Sequence, residues 1–121
     1  METVILNLIK LQNQLRICHW QTNSFAKHEA FGKTYDKLGE LLDELVEVHQ
    51  GKYGRIVYPE NTHIELYNNE SIDINDILRE VTEYLSTSFN EKLEPKDTDC
   101  QNIRDEMLAV LNKLSYLLSL E

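Results

Sequence analysis

Two histidines, His19 and His28, stand nine positions apart in "CHWQTNSFAKHEAF". A carboxylate pair, Asp43 and Glu47, follows at i,i+4 spacing in "LLDELVE". Imidazole nitrogens together with carboxylate oxygens suit iron, manganese or zinc, and two carboxylates neutralise a dication. The chemistry these residue types could perform is therefore transition-metal binding. Whether they perform it depends on the elements that carry them.

Those elements are helices. Val4, Leu8, Leu11, Leu15 and Cys18 recur at four- and three-residue steps, and Phe31, Tyr35, Leu38, Leu42 and Leu45 do the same, which is one apolar face of a helix in each case. The "TNS" of residues 22–24 offers turn and N-cap chemistry between them, and "HQGKYG" ends the second helix with glycines. Residues 51–72 lose the helical period, so a long ordered loop with at most a short strand-like or single-turn piece is expected. Asp73 and Asp76 open a third helix with the stripe Ile74, Ile77, Leu78, Val81, Leu85 and Phe89. Pro95 precedes the fourth, which starts on a Thr98/Gln101 capping box and runs Cys100, Ile103, Met107, Val110, Leu114 and Leu117. The pattern predicts an all-α fold in one domain over 1–121, with helices at about 2–20, 25–50, 73–90 and 98–120. A four-helix bundle whose one long crossover loop, 51–72, joins helices two and three has ferritin-like topology.

On a wheel of about 100° per residue, Asp43 and Glu47 fall beside the core stripe on the same side as His28, Gly32 and Gly39. Yet His28 and Asp43 are about 22 Å apart along the axis at 1.5 Å per residue. One helix cannot close such a site; a second copy can. Antiparallel packing of two second helices about a two-fold axis sets His28 opposite the partner's Asp43, and the same register sets Gly32 opposite Gly39. Glycine costs about 1 kcal/mol in a helix interior, and a close seam between two copies would account for both. A homodimer through antiparallel second helices, crossing near residues 35 and 36, is the expected assembly.

The net charge is −9, with no basic arm, which disfavours nucleic-acid binding. No apolar run has the length of a membrane span and no signal peptide is evident. Cys18 and Cys100 lack zinc spacing and are expected as buried thiols in a cytoplasmic protein.

The run "HWQTNSFAKHEAFGKTYDKLGELLDELVE" resembles the ferroxidase signature of Dps proteins, the mini-ferritins, over roughly residues 15–50. In that family a His-Trp pair ends the first helix, a second histidine begins the next, and a D-x-x-x-E pair lies 15 residues on. The resemblance implies a four-helix bundle that assembles through dimers into a hollow dodecamer. It also implies ferrous iron oxidised at sites shared between two-fold-related subunits, with His19, His28, Asp43 and Glu47 as the metal ligands. Three departures stand out. Gly32 occupies a position where the family has another carboxylate, the stretch between the histidines is about three residues shorter, and the chain is short, with a reduced third helix and no basic tail. They imply a depleted or single-metal site, and dimers or small oligomers as readily as a shell.

Plainer roles compete. His49, on the Leu42 and Leu45 stripe, reads as a half-buried structural histidine, and His63 as an exposed loop residue. Trp20, Phe25 and Phe31 read as core or interface aromatics. Glu44-x-x-Glu47 and Glu80-x-x-Glu83 resemble the paired acidic motifs of all-α, magnesium-dependent nucleotide pyrophosphohydrolases, though no basic phosphate-binding cluster accompanies them. A catalytically silent ferritin-like dimer that acts by binding a partner is the remaining alternative.

Overall fold

Four α-helices carry the chain: α1 (Glu2–Gln21), α2 (Phe25–Tyr53), α3 (Ile74–Ser86) and α4 (Thr98–Leu118). The computed structural model describes residues 1–120. Among these there is no strand, and no helix is long and apolar enough to cross a membrane. α1 packs along α2, α2 along α4, and α3 against α4, whereas α1 and α3 hardly touch. The core follows most of the stripes read from the sequence and adds Ile5, Ala30, Leu41 and Leu111, while Tyr35, Ile74, Ile77, Val81, Val110 and Leu117 of those stripes are only partly buried against it. Val4, Leu8, Leu11, Leu15 and Cys18 of α1 meet Phe31, Leu38, Leu42 and Leu45 of α2, and Leu78 and Leu85 join Cys100, Ile103, Met107 and Leu114. Both cysteines are free and buried.

Local chemistry fixes the ends. Ser24 caps α2, its hydroxyl accepting from the Lys27 N–H at 3.2 Å, and the Asp73 carboxylate accepts from the Asn75 N–H at 2.9 Å at the start of α3. α2 runs through Gly51 and ends at Gly54, whose φ of 88° suits only glycine. α3 is shorter than its apolar stripe. It stops at Ser86, and a 3₁₀ segment, Ser88–Lys92, continues to Phe89. The Ser86 and Thr87 hydroxyls donate back to the Thr82 and Glu83 carbonyls at 2.7 and 2.8 Å, and such hydroxyl bonding competes with helix continuation. The N-cap of α4 is Asp97, not Thr98, so the expected capping box is not formed there. Asp97 is buried, and its carboxylate is committed elsewhere. It pairs with the Lys52 ammonium at 2.6 Å and accepts from the Tyr53 hydroxyl at 2.7 Å and the Glu94 N–H at 2.9 Å. Those partners, the Lys52 ammonium foremost, hold the Asp97 carboxyl down at about 2. This knot ties the end of α2 to the start of α4.

Residues 54–68 are irregular, followed by one 3₁₀ turn, Asn69–Ser71. The segment is held by side chains rather than by backbone ladders. Buried Gln14 donates its amide to the Tyr67 carbonyl at 2.8 Å and accepts the Tyr67 N–H at 2.9 Å. Gln21 grips Asn69 N–H at 2.7 Å, Gln50 takes the Ile56 N–H at 3.0 Å, and the Tyr58 hydroxyl reaches the Glu2 carbonyl at 2.9 Å.

Candidate functional site

The turn between α1 and α2 brings His19 and His28 together. Their rings stack with centroids 3.8 Å apart and 14° between planes. Each Nδ1 lies against the other residue's backbone carbonyl, His19 Nδ1 at 2.6 Å from the His28 oxygen and His28 Nδ1 at 2.8 Å from the His19 oxygen. A carbonyl oxygen only accepts, so both Nδ1 atoms carry the proton, and in the neutral rings both Nε2 atoms carry the lone pair. This is the tautomer and the backbone-oriented setting in which histidines commonly ligate metals. The short turn between α1 and α2 thus brings His19 directly onto His28.

Gly32 is part of the same arrangement. A Cβ there would lie 2.9 Å from His19 Cε1 and 3.1 Å from Nδ1, so the imidazole rests on the bare backbone of α2. Any side chain at 32, a carboxylate included, would displace His19 from this position. Gly39 likewise receives Gln12, whose amide nitrogen would lie 2.4 Å from an added Cβ and bonds the Tyr35 carbonyl at 3.3 Å. The two glycines are therefore accounted for within one chain, by side chains of α1, without a second copy at their seam.

Asp43 and Glu47 are exposed on α2. They line a shallow groove of about 380 Å³ with Ile5, Ile9, Val46 and Ile56. They lie along the same α1–α2 seam as Gly32 and Gly39, at its opposite end from the histidines, and 15 residues of helix separate Asp43 from His28. Among the described residues no group of three histidine, cysteine or acidic side chains converges within one chain. The chain thus brings the two imidazoles together and keeps the carboxylate pair at a distance.

Between these ends sit Tyr35, which the stripe spacing includes, and Arg16, which spacing did not single out. Tyr35 meets His19 edge-on at 5.4 Å, and the Arg16 guanidinium lies over the Tyr35 ring at 4.9 Å. Arg16 Nε is buried without a hydrogen-bond partner. The available signal was Arg16 itself, a charge interrupting α1 beside the apolar stripe. Phe31 is in the core, but Trp20 and Phe25 are not: they are 65% and 78% exposed and flank the histidine pair, Phe25 lying 6.2 Å from the His28 ring. His49 is half-buried against Tyr53, with burial as the main cause of a lowered pKa, and His63 is exposed in the loop. Glu44 and Glu80 stand exposed on α2 and α3, helices that hardly touch each other.

An all-α, four-helix chain with a histidine clasp at the tip of its first hairpin is the class these features define. The chain belongs to a family of unknown function, DUF5856, which matches residues 19–118. It is also similar to the "Uncharacterized 14.6 kDa protein in mobD-ri intergenic region" of Enterobacteria phage T4, with 25% identity over 114 residues that cover 94% of this chain and 84% of that protein. No solved structure matches the chain.

Proposed function

We propose that this chain binds a divalent transition metal ion, iron before zinc or manganese, between two copies related by a two-fold axis, in the manner of ferritin-like mini-ferritins. The observation that carries the reading is the reciprocal histidine clasp, which holds each Nδ1 on a backbone carbonyl and so leaves the proton off both Nε2 atoms. The donors fit such an ion only in part within one chain, because Asp43 and Glu47 lie at the far end of the seam. In the proposed dimer an antiparallel second copy brings its own Asp43 and Glu47 to the clasp; with Gly32 and Gly39 covered by His19 and Gln12, the register rests on setting His28 opposite the partner's Asp43 alone. Support for that copy comes from two features. Asp43 and Glu47 form no ion pair among the described residues, and Trp20 and Phe25 stand exposed beside the clasp. When bound, ferrous iron supplies electrons for the reduction of dioxygen. The protein's own part is to orient the imidazoles through their Nδ1 bonds and to neutralise the ion with carboxylates. With Gly32 in place of a further carboxylate, one ion per site and slow oxidation are expected.

Anaerobic titration with ferrous iron, or with zinc, tests the reading by complementation. His28→Ala alone and Asp43→Ala/Glu47→Ala alone should each lose binding. Co-refolded in equal amounts they should regain about a quarter of the native stoichiometry, because half the dimers are mixed and each mixed dimer holds one intact site of two. No recovery on mixing would defeat the shared site. Unchanged binding by either variant would defeat the ligand set, and a native dimer that takes up no metal would leave the silent, partner-binding dimer as the better reading.

A further inference from the structure

α3 packs on α4 and leaves α1 almost untouched, so the bundle is open along one side. A groove of about 480 Å³ runs there. Its floor and walls are Leu8 and Leu11 of α1, Ile77 and Val81 of α3, and Ile72 just before α3. Of the polar residues that also line it, Asn7, Lys10, Gln14, Tyr67, Glu80 and Tyr84, Gln14 is the buried one, and its amide is spent at both ends on the Tyr67 backbone. An occupant therefore meets an apolar floor, and it must bring apolar side chains.

The rim has a sign. Asp73, Asp76, Glu80 and Glu83 are all exposed, and their three- and four-residue spacing puts them in one row along α3, next to the Ile77 and Val81 face. Arg79 pairs with Asp76 alone of the row. On the opposite wall the basic residue is Lys10, whose ammonium lies over the Tyr67 ring at 5.7 Å. The chain carries a net charge of −9, so a second copy or an anionic amphiphile would be repelled from this acidic edge. We propose that the groove between α1 and α3 receives one basic amphipathic helix of a partner protein. Its aliphatic side chains at i, i+3 and i+4 fill the floor, and its lysines or arginines lie along the α3 row.

The probe is a fluorescent, 14-residue peptide of leucine and lysine at helical spacing, with a control of equal charge in which serine replaces leucine. Anisotropy at physiological salt should show saturable one-to-one binding of the first and far weaker binding of the second. Glu80→Lys/Glu83→Lys should weaken the leucine peptide by about tenfold or more. Asn7→Trp, an exposed position on the groove's edge, narrows the groove without altering charge and should remove binding while circular dichroism stays native. Equal binding of the serine control, native-strength binding by Asn7→Trp, or no binding of the leucine peptide each overturns the proposal. So does sedimentation showing that Asn7→Trp dissociates a homodimer, which would make a second copy the occupant.

Discussion

Replacing Gly32 with alanine sets a general gain against a local loss. In an ordinary helix interior the exchange stabilises by about 1 kcal/mol. At Gly39 up to half of that should survive. The new methyl would fall 2.4 Å from the Gln12 amide nitrogen, but this is the end of a flexible side chain whose one bond, to the Tyr35 carbonyl, is 3.3 Å long. Swinging it aside costs about 0.5–1 kcal/mol. At Gly32 the obstacle is a ring, 2.9 Å away at Cε1, stacked on His28 and bonded through Nδ1. Moving it loses one or both clasp bonds at about 1 kcal/mol each, or holds it off-rotamer at about 0.5–1.5 kcal/mol. Gly39→Ala should therefore be neutral to about 0.5 kcal/mol stabilising. Gly32→Ala should lie between about 0.5 kcal/mol stabilising and about 1 kcal/mol destabilising. Urea unfolding followed by circular dichroism measures both, and nitrogen NMR reports the histidine tautomers. The reasoning fails if Gly32→Ala stabilises as much as Gly39→Ala while both rings keep a protonated Nδ1.

Gln14→Ala should free the Tyr67 backbone N–H and carbonyl, costing about 1–3 kcal/mol and speeding limited proteolysis within residues 54–68; unchanged cleavage would show that the loop is held elsewhere. The Asp97 carboxylate, held near 2 against an ordinary 3.8, contributes stability that is present above pH 3.8 and lost as pH falls toward 2. Asp97→Asn should lower the urea midpoint at neutral pH and flatten the acid limb of the midpoint–pH curve, whereas Asp99→Asn, at an exposed carboxylate, should do much less. Trp20→Ser with Phe25→Ser should leave thermal stability near native, since both side chains are exposed, and should shift sedimentation toward the monomer if this face joins two copies.

The helices were legible because a 3.6-residue period imposes itself on core residues. Every apolar residue of the α1 stripe, Val4 to Cys18, is buried, and Ser24 and Asp73 cap where their side-chain oxygens suggested. The candidate site was legible only in part. That His19 and His28 stack is set by the turn geometry of residues 22–24, which spacing does not specify. Gly32 and Gly39 signalled that something approaches α2 closely, but a glycine does not say what; His19 and Gln12 of the same chain turn out to do so. Gln14 escaped notice because an amide between Leu11 and Leu15 looks like surface until its backbone partners are known. The early end of α3 lay in the successive hydroxyls of Ser86 and Thr87, a competition that an apolar stripe cannot register.

The manner in which the α2–α3 connection is fastened has a consequence for how it can change. Gln50 and the Tyr58 hydroxyl tether one end, Gln14 and Gln21 the other, and all but Tyr58 reach out from helices to the loop backbone. Backbone groups are common to every residue type, so those tethers are blind to the sequence they hold. Between them, Pro59–His63 is exposed throughout and turns at Asn61 with φ 62°. Such a span is free to drift, lengthen or take up a foreign peptide while its two moorings keep the helices in register. It is the natural graft point of the molecule, and the place where members of this family have most room to diverge.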